Sequence, residues 1–295
     1  MSARFERVSG DVYVLRVPFG CVWTSVILVG DKKGDCVLID SANCGERVDD
    51  TLIPALSELG LSLEDAKYLL CTHTHGDHVG GHKRIKELSP KTAALCTEEQ
   101  LPKLRDPLKY SKLIRSVFPE YSPEAPAGLC GTEPDGILKD GETVHNRLKL
   151  IKTPGHDSDA VCFFDTVTKT VICGDSLQAN GTESQGIGLY MELAPYEKSI
   201  ADIKALGATN LILSHGYDPI GDIALGEKAV EDCIAVCENA VSTYHSVIER
   251  CAREGLDAPE IARVLTREVN AVLPEYLFLP LYTVTAHLNE IKNKS

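Results

Sequence analysis

The chain has 295 residues, 43% of them hydrophobic and 25% charged, and a formal net charge of −13. That length holds one large α/β core with an accessory piece, and the balance is ordinary for a soluble globular protein. An acidic chain with no Lys/Arg block lacks the cationic track that a nucleic-acid partner needs, and no long apolar run predicts a membrane span.

Taken in chain order, Val12–Val17, Ser25–Val29 and Cys36–Asp40 read as short strands, the last two separated by the turn Gly30–Gly34. Asp49–Leu59 has helical periodicity and stops at Gly60, a plausible C′ position. Lys67–Cys71 reads as a buried strand that runs into a His-rich loop, and His82–Leu88 as a helix stopped by Ser89-Pro90. Glu98–Phe118 looks helical, with a Pro102 start and an interruption at Pro107. The spacing of its Lys103, Arg105, Lys109, Lys112 and Arg115 fits a solvated face. After a surface excursion over 119–134, strand Leu148–Lys152 precedes a hairpin of Ala160–Phe164 with Lys169–Cys173. A polar, glycine-rich loop follows from Gln178 to Tyr190, then helix Pro195–Leu206 and strand Ala208–Leu213. From Gly226 the texture is helical: Glu227–Arg253, Ala258–Leu273 and Leu281–Ile291.

The chemistry concentrates where these strands end. His73-Thr74-His75-Gly76-Asp77-His78 follows the strand at Lys67–Cys71. His156 follows Leu148–Lys152, Asp175 follows the hairpin, and His215 follows Leu211–Leu213. Side chains just beyond strand ends converge at a sheet edge and still reach solvent, which suits a hydrolytic metal centre. Imidazole suits zinc, iron or nickel and carboxylate suits harder ions, so the mixture favours a borderline transition metal. Gly76, Gly80 and Gly81 permit close backbone packing around the loop. His82 reads as a surface or outer-layer residue, while His145, His245 and His287 lack the context of a ligand.

This pattern resembles the metallo-β-lactamase superfamily of metallohydrolases from about Val12 to Tyr217, and within it the glyoxalase II and acyl-homoserine-lactonase branches. The resemblance implies a four-layer αββα sandwich over residues 1–225, with 226–295 as a helical extension on the substrate side or at a homodimer face. It implies a dinuclear site in which His73, His75 and His156 hold one metal, Asp77, His78 and His215 the other, and Asp175 bridges both. Two divalent ions are expected, zinc first, with iron or manganese as alternatives. Where many glyoxalase II enzymes continue with a second His, this chain has Ala160. Where the iron flavoproteins carry Glu, it has His75.

The activity so implied is hydrolysis of an ester-like bond (lactone, thioester or ester) in a small metabolite by a metal-bridging hydroxide. Asp77 would ligate and orient, and Tyr190 or Tyr217 would donate a hydrogen bond to the oxyanion or leaving oxygen. Asp157 and Asp159 are placed to hold distal imidazole nitrogens or to line the mouth. Ser158 and Ser214 have no separate base to activate them. The loop Gln178–Tyr190 is expected to shape the substrate side, with Gln178, Asn180, Thr182, Glu183 and Ser184 meeting polar groups and Ile187 and Leu189 lining an acyl pocket. The alternatives are a phosphodiesterase on a small diester and a non-catalytic metal-binding module. The start of the chain lacks the apolar core of a signal peptide, and its eleven cysteines follow no C-x-x-C pattern, so a cytoplasmic location is expected.

Overall fold

Val12 and Val14 face one way along their strand and Tyr13, Leu15 and Val17 the other, and both sets are buried. Burial on two faces at period two belongs to a sheet covered on both sides. The computed structural model, which describes residues 4–20, 22–181 and 185–294, contains two such sheets. The first has seven strands in chain order: β1 (Glu6–Ser9), β2 (Val12–Phe19), β3 (Val22–Val29), β4 (Cys36–Ile39), β5 (Ala66–Leu70), β6 (Ala93–Cys96) and β7 (Gly136–Ile137). The second has six: β8 (Thr143–Val144), β9 (Leu148–Lys152), β10 (Val161–Asp165), β11 (Thr170–Ile172), β12 (Asn210–Tyr217) and β13 (Gly221–Leu225).

Three apolar layers follow from this alternation. Between the sheets, Val12, Val14, Ile27 and Ile39 meet Leu148, Leu150, Phe163 and Ile212. Outside the first sheet, Leu15, Leu28 and Leu38 pack on Leu52, Leu56 and Ile85 from helical segments. Outside the second, Val171, Leu211 and Leu213 share a cluster with helices Leu193–Ala205, Glu227–Arg253, Ala258–Glu268 and Phe278–Lys294. The result is the αββα sandwich with a C-terminal helical extension, and that extension joins the same outer layer as Leu193–Ala205. Among the described residues, no helix is long and apolar enough to cross a membrane.

Strand direction is what gathers the site. β9 and β11 are both antiparallel to β10, so they run the same way, and β12 is parallel to β11. The C-terminal ends of β9, β11 and β12 therefore lie at one edge. There the amide of Val161 donates to the carbonyl of Thr72, tying the loop after β5 to the second sheet (2.8 Å). Local signals worked where they were strong. Gly60 takes φ +73°, its amide reaches Ser57 O and the Leu61 amide reaches Leu56 O, the paired bonds of a Schellman stop. Strands β1, β6, β7, β8 and β13 were not anticipated. Ala93-Ala-Leu-Cys96 has little β-branched character, and it becomes a strand because β5 and β7 flank it in parallel.

Candidate metal centre

The loop after β5 turns into the short helix Gly76–Val79, which lies against the segment after β4. An added Cβ at Gly80 would stand 2.0 Å from Asn43 O, and one at Gly81 2.0 Å from Ser41 O, so only glycine permits this approach. Gly155, at φ +133°, lies so close to Tyr196 that a Cβ would sit 2.4 Å from its Cα, and this contact delivers His156. Asp175 follows β11, and His215 lies in β12 itself, where the pairing with β13 loses register.

These residues meet in three overlapping groups: His73, His75 and His156; His73, His78 and Asp175; and Asp77, His78 and His215. His156 Nε2 is 3.2 Å from His73 Nε2 and 3.1 Å from His75 Nδ1. Tetrahedral ligands at zinc–nitrogen bond lengths stand about 3.3 Å apart, so the spacing is that of donors around one ion. His215 Nε2 lies 3.2 Å from Asp77 Oδ2, and His78 Nε2 lies 3.4 Å from the same oxygen. Asp175 Oδ2 stands between the two sets, 3.6 Å from His156 Nε2, 3.4 Å from His215 Nε2 and 3.8 Å from His78 Nε2.

The far nitrogens show why the lone pairs point inward. His156 Nδ1 donates to Leu189 O (2.8 Å), His215 Nδ1 to Trp23 O (2.7 Å) and His78 Nδ1 to Asp40 Oδ2 (2.9 Å). With those protons placed, Nε2 of each ring is the acceptor whenever the ring is neutral, as it is when it binds a metal ion. His78 Nε2 and Asp175 Oδ1 are buried and lack hydrogen-bond partners among the described residues. Acceptors crowded against acceptors in a buried place are costly unless a cation joins them. The donor set fits one or two divalent metal ions.

Without an ion, the two sets differ in charge. Burial, with the neighbouring imidazoles, pushes His73 well below its ordinary pKa, and burial takes His156 down to about 4. Burial also opposes charge on His215, but Asp175 and Asp77 outweigh it and hold the ring up at about 10. Burial would raise Asp77, yet His78 and His215 keep its carboxyl well below the usual range.

An outer ring steadies the loop, and much of it was not anticipated. Asp40, at φ +62°, accepts from the Thr72 amide (2.8 Å), the Thr72 hydroxyl (2.9 Å) and His78. Asp157 Oδ2 lies 3.3 Å from His75 Nε2, as expected for one of the two flanking carboxylates. Asp159 instead takes the Thr74 hydroxyl (2.6 Å), and burial with Asp157 nearby lifts its pKa to about 6. Lys103 reaches Asp157 (2.5 Å) and Asp159 (3.1 Å), which corrects its assignment to a solvated helix face. The Tyr110 hydroxyl also donates to Asp157, and its ring stacks near His75. Short range in space but far apart in sequence, these pairings left no local mark.

Several expectations are corrected. The Tyr190 hydroxyl is spent on His287 Nε2 (2.6 Å) in the core under the C-terminal helices, away from the pocket walls. Tyr217 is buried too, but its hydroxyl has no partner among the described residues, and Asp175 and Asp77 act on it electrostatically. His82 is fully buried, 2.6 Å from Ser41 Oγ, where it braces the segment facing His78. In the loop, Ile187 joins the helical core, Gln178 holds the Leu189 amide and Asn180 donates to Val269 O, so none of the three meets the pocket. Thr182, Glu183 and Ser184 lie outside the described residues. Gln185, Leu189 and Met191 do line the pocket above the donor set, opposite Pro107 and Ile114, with Phe278 and Tyr282 from the C-terminal helix.

The family model for the metallo-beta-lactamase superfamily matches residues 20–215. The uncharacterized protein YobT of Bacillus subtilis (strain 168) is 30% identical over 156 residues, 51% of this chain and 61% of that protein. The beta-lactamase-like protein 2 homolog of Caenorhabditis elegans is 30% identical over 235 residues, 79% of this chain and 66% of that protein. The chain thus spans a little under two thirds of either relative's length. In fold it is similar to a metallo-beta-lactamase family protein from Thermus thermophilus (TM-score 0.71, 21% identity, 96% of this chain and 94% of that one). Since the matched span carries the whole converging donor set, from His73 to His215, the chain belongs to the metallo-beta-lactamase superfamily.

Proposed function

We propose that the seven side chains hold two divalent ions, zinc best by donor type, and that the protein hydrolyses an ester-like bond (lactone, thioester or ester) in a small metabolite. The observation that carries this reading is Asp175 Oδ2, one oxygen within 3.8 Å of imidazole nitrogens from both sets. His73, His75 and His156 would hold one ion, Asp77, His78 and His215 the other, and Asp175 both. Such ions supply Lewis-acid polarisation of a carbonyl and acidify the attacking water.

The remaining work falls to the chain. The distal hydrogen bonds to Leu189, Trp23 and Asp40 hold three imidazoles in one tautomer and one orientation. Asp157 Oδ2 stands 3.3 Å from His75 Nε2 on the mouth side, a carboxylate beside a ring that lacks such a bond among the described residues. Ile114, Leu129, Leu189, Met191 and Phe278 give the pocket an apolar wall that excludes bulk water and receives an acyl chain. This wall favours the glyoxalase II and lactonase branches as the nearest functional kin. It also makes the segment from Gly226 a cover for the site. Tyr217 keeps an unspent hydroxyl but does not line the pocket, so a hydrogen bond from it to a developing negative charge would require the site to rearrange.

Metal-loaded protein should turn over a lactone, a thioester or an aryl ester faster than bis-p-nitrophenyl phosphate, and His75→Ala should remove most turnover together with about one metal per chain. Preference for the phosphate diester, or unchanged metal content and turnover in His75→Ala, would reject the proposal.

A further inference from the structure

Helix Pro107–Ser116 forms one wall of the pocket, and its last turn carries Arg115. Expected on a solvated face, Arg115 is instead half-buried, with its guanidinium 5.2 Å from the centre of the Phe278 ring. Nη1 donates to Ser111 O (3.0 Å) and Ser111 Oγ (2.6 Å). Nε is buried and has no acceptor among the described residues, and no described carboxylate pairs with this side chain.

Other arginines of the chain show what that edge is for. Arg16 sets Nε and Nη2 on the two oxygens of Asp222, Arg105 does so on Glu133, and Arg147 on Asp165. This side-on fork matches a carboxylate in spacing and plane. In Arg115 Nε has no such partner among the described residues, and the residue lines the pocket. Burying a guanidinium without an anion is unfavourable, and burial accordingly lowers its pKa. The carboxylates lining the pocket are Asp77 and Asp175, both in the metal donor set, so two bound divalent ions would more than neutralise them. The cavity is then cationic at its floor and at Arg115, and apolar between.

We propose that Arg115 is a specificity residue that binds a carboxylate carried on the acyl portion of the substrate, across an apolar linker from the bond to be cleaved. The substrate class is an ester, thioester or lactone whose acyl chain ends in an acid. This rests on the hydrolytic reading above for the bond cleaved, but not for the anion bound.

The test uses metal-loaded protein and two p-nitrophenyl esters that differ only at the acyl terminus, the pentanoate and the glutarate half-ester. Wild-type kcat/KM should favour the glutarate half-ester by about 10- to 100-fold, the worth of a charge-assisted hydrogen bond. In Arg115→Gln that ratio should collapse toward one, whichever way the separate rates move, and Arg115→Lys should keep part of it. Calorimetric binding of glutarate against pentanoate provides a second arm that needs no turnover. Tighter glutarate binding that vanishes in Arg115→Gln, with no ester cleaved, would sink the hydrolytic reading and leave the anion site standing. Cleavage of both esters with a ratio indifferent to Arg115, together with equal binding of the two acids, would overturn the anion site and leave the hydrolase.

Discussion

Two buried polar clusters occupy opposite ends of the same strands. Where β9 begins and β10 ends, Arg147 donates through Nε (2.8 Å) and Nη2 (2.6 Å) to Asp165 and through Nη1 to Asp11 (2.8 Å). Asp165 also accepts from the Thr168 hydroxyl and the Val167 amide. Donor meets acceptor throughout, with one guanidinium held between two carboxylates. At the other end, after β9 and β11, imidazole nitrogens and carboxylate oxygens face one another with Asp175 Oδ1 and His78 Nε2 unmatched. Both clusters bury most of their side chains, so burial alone does not mark function. What differs is completeness: one network closes on itself, and the other needs something added.

The comparison can be broken most forcefully at the metal edge. His156→Ala should reduce kcat/KM well beyond the roughly 100-fold typical of losing an outer-layer partner, with metal content falling and the fold intact by circular dichroism. Retained metal and activity would remove the distinction between the two ends. Asp165→Asn should do the reverse. It removes the bidentate partner of Arg147 while Asp11 stays, and should cost about 2–3 kcal/mol in denaturant unfolding, with metal stoichiometry unchanged. A loss below about 1 kcal/mol would show that the closed network is not structural.

The acid response sharpens the same contrast. Burial would raise Asp165, but Arg147 and Thr168 more than offset it, and Arg147 holds Asp11 below its ordinary value as well. With folded-state pKa values under the unfolded ones, their stabilisation is complete above about pH 4 and drains away as pH falls through the folded values. Stability against pH should therefore be less steep below about pH 4 in Asp165→Asn, and an identical slope would contradict the assignment.

Next in size is Asp40→Asn. It should weaken metal binding by about 10- to 100-fold while turnover at saturating metal largely recovers, because Asp40 acts through His78. Unchanged affinity in a chelator competition would exclude that role. Smallest is Tyr190→Phe, which should cost about 1 kcal/mol of stability and leave kcat within a few-fold, since the hydroxyl is spent on His287. A large loss of kcat at constant KM would return Tyr190 to the chemistry.

The contrast also explains what could be read beforehand. The seven donors were legible because the chemistry restricts residue type, and five of them lie in or soon after runs with strong strand signals. Short, mostly apolar runs bounded by turns made β2 to β5 legible for the same local reason. Asp40, Lys103, Tyr110 and Arg115 were not, because their importance lies in partners tens of residues away: Asp40 is 38 positions from His78, and Lys103 is 54 from Asp157. Tyr190 misled because a position after a site loop says nothing about the direction of a ring. β13 went unseen because Gly221-Asp-Ile-Ala-Leu225 pairs as a strand only once β12 offers its edge.

The carbonyl that orients His215 belongs to Trp23, the one tryptophan of the chain, and the indole presses so near Gly216 that an added Cβ would stand 2.7 Å from the ring. Any shift of His215 as an ion arrives or leaves must be felt by that ring. The protein thus carries its own optical gauge: a single emitter, already mounted on the site, whose fluorescence can follow loading and release in unlabelled material.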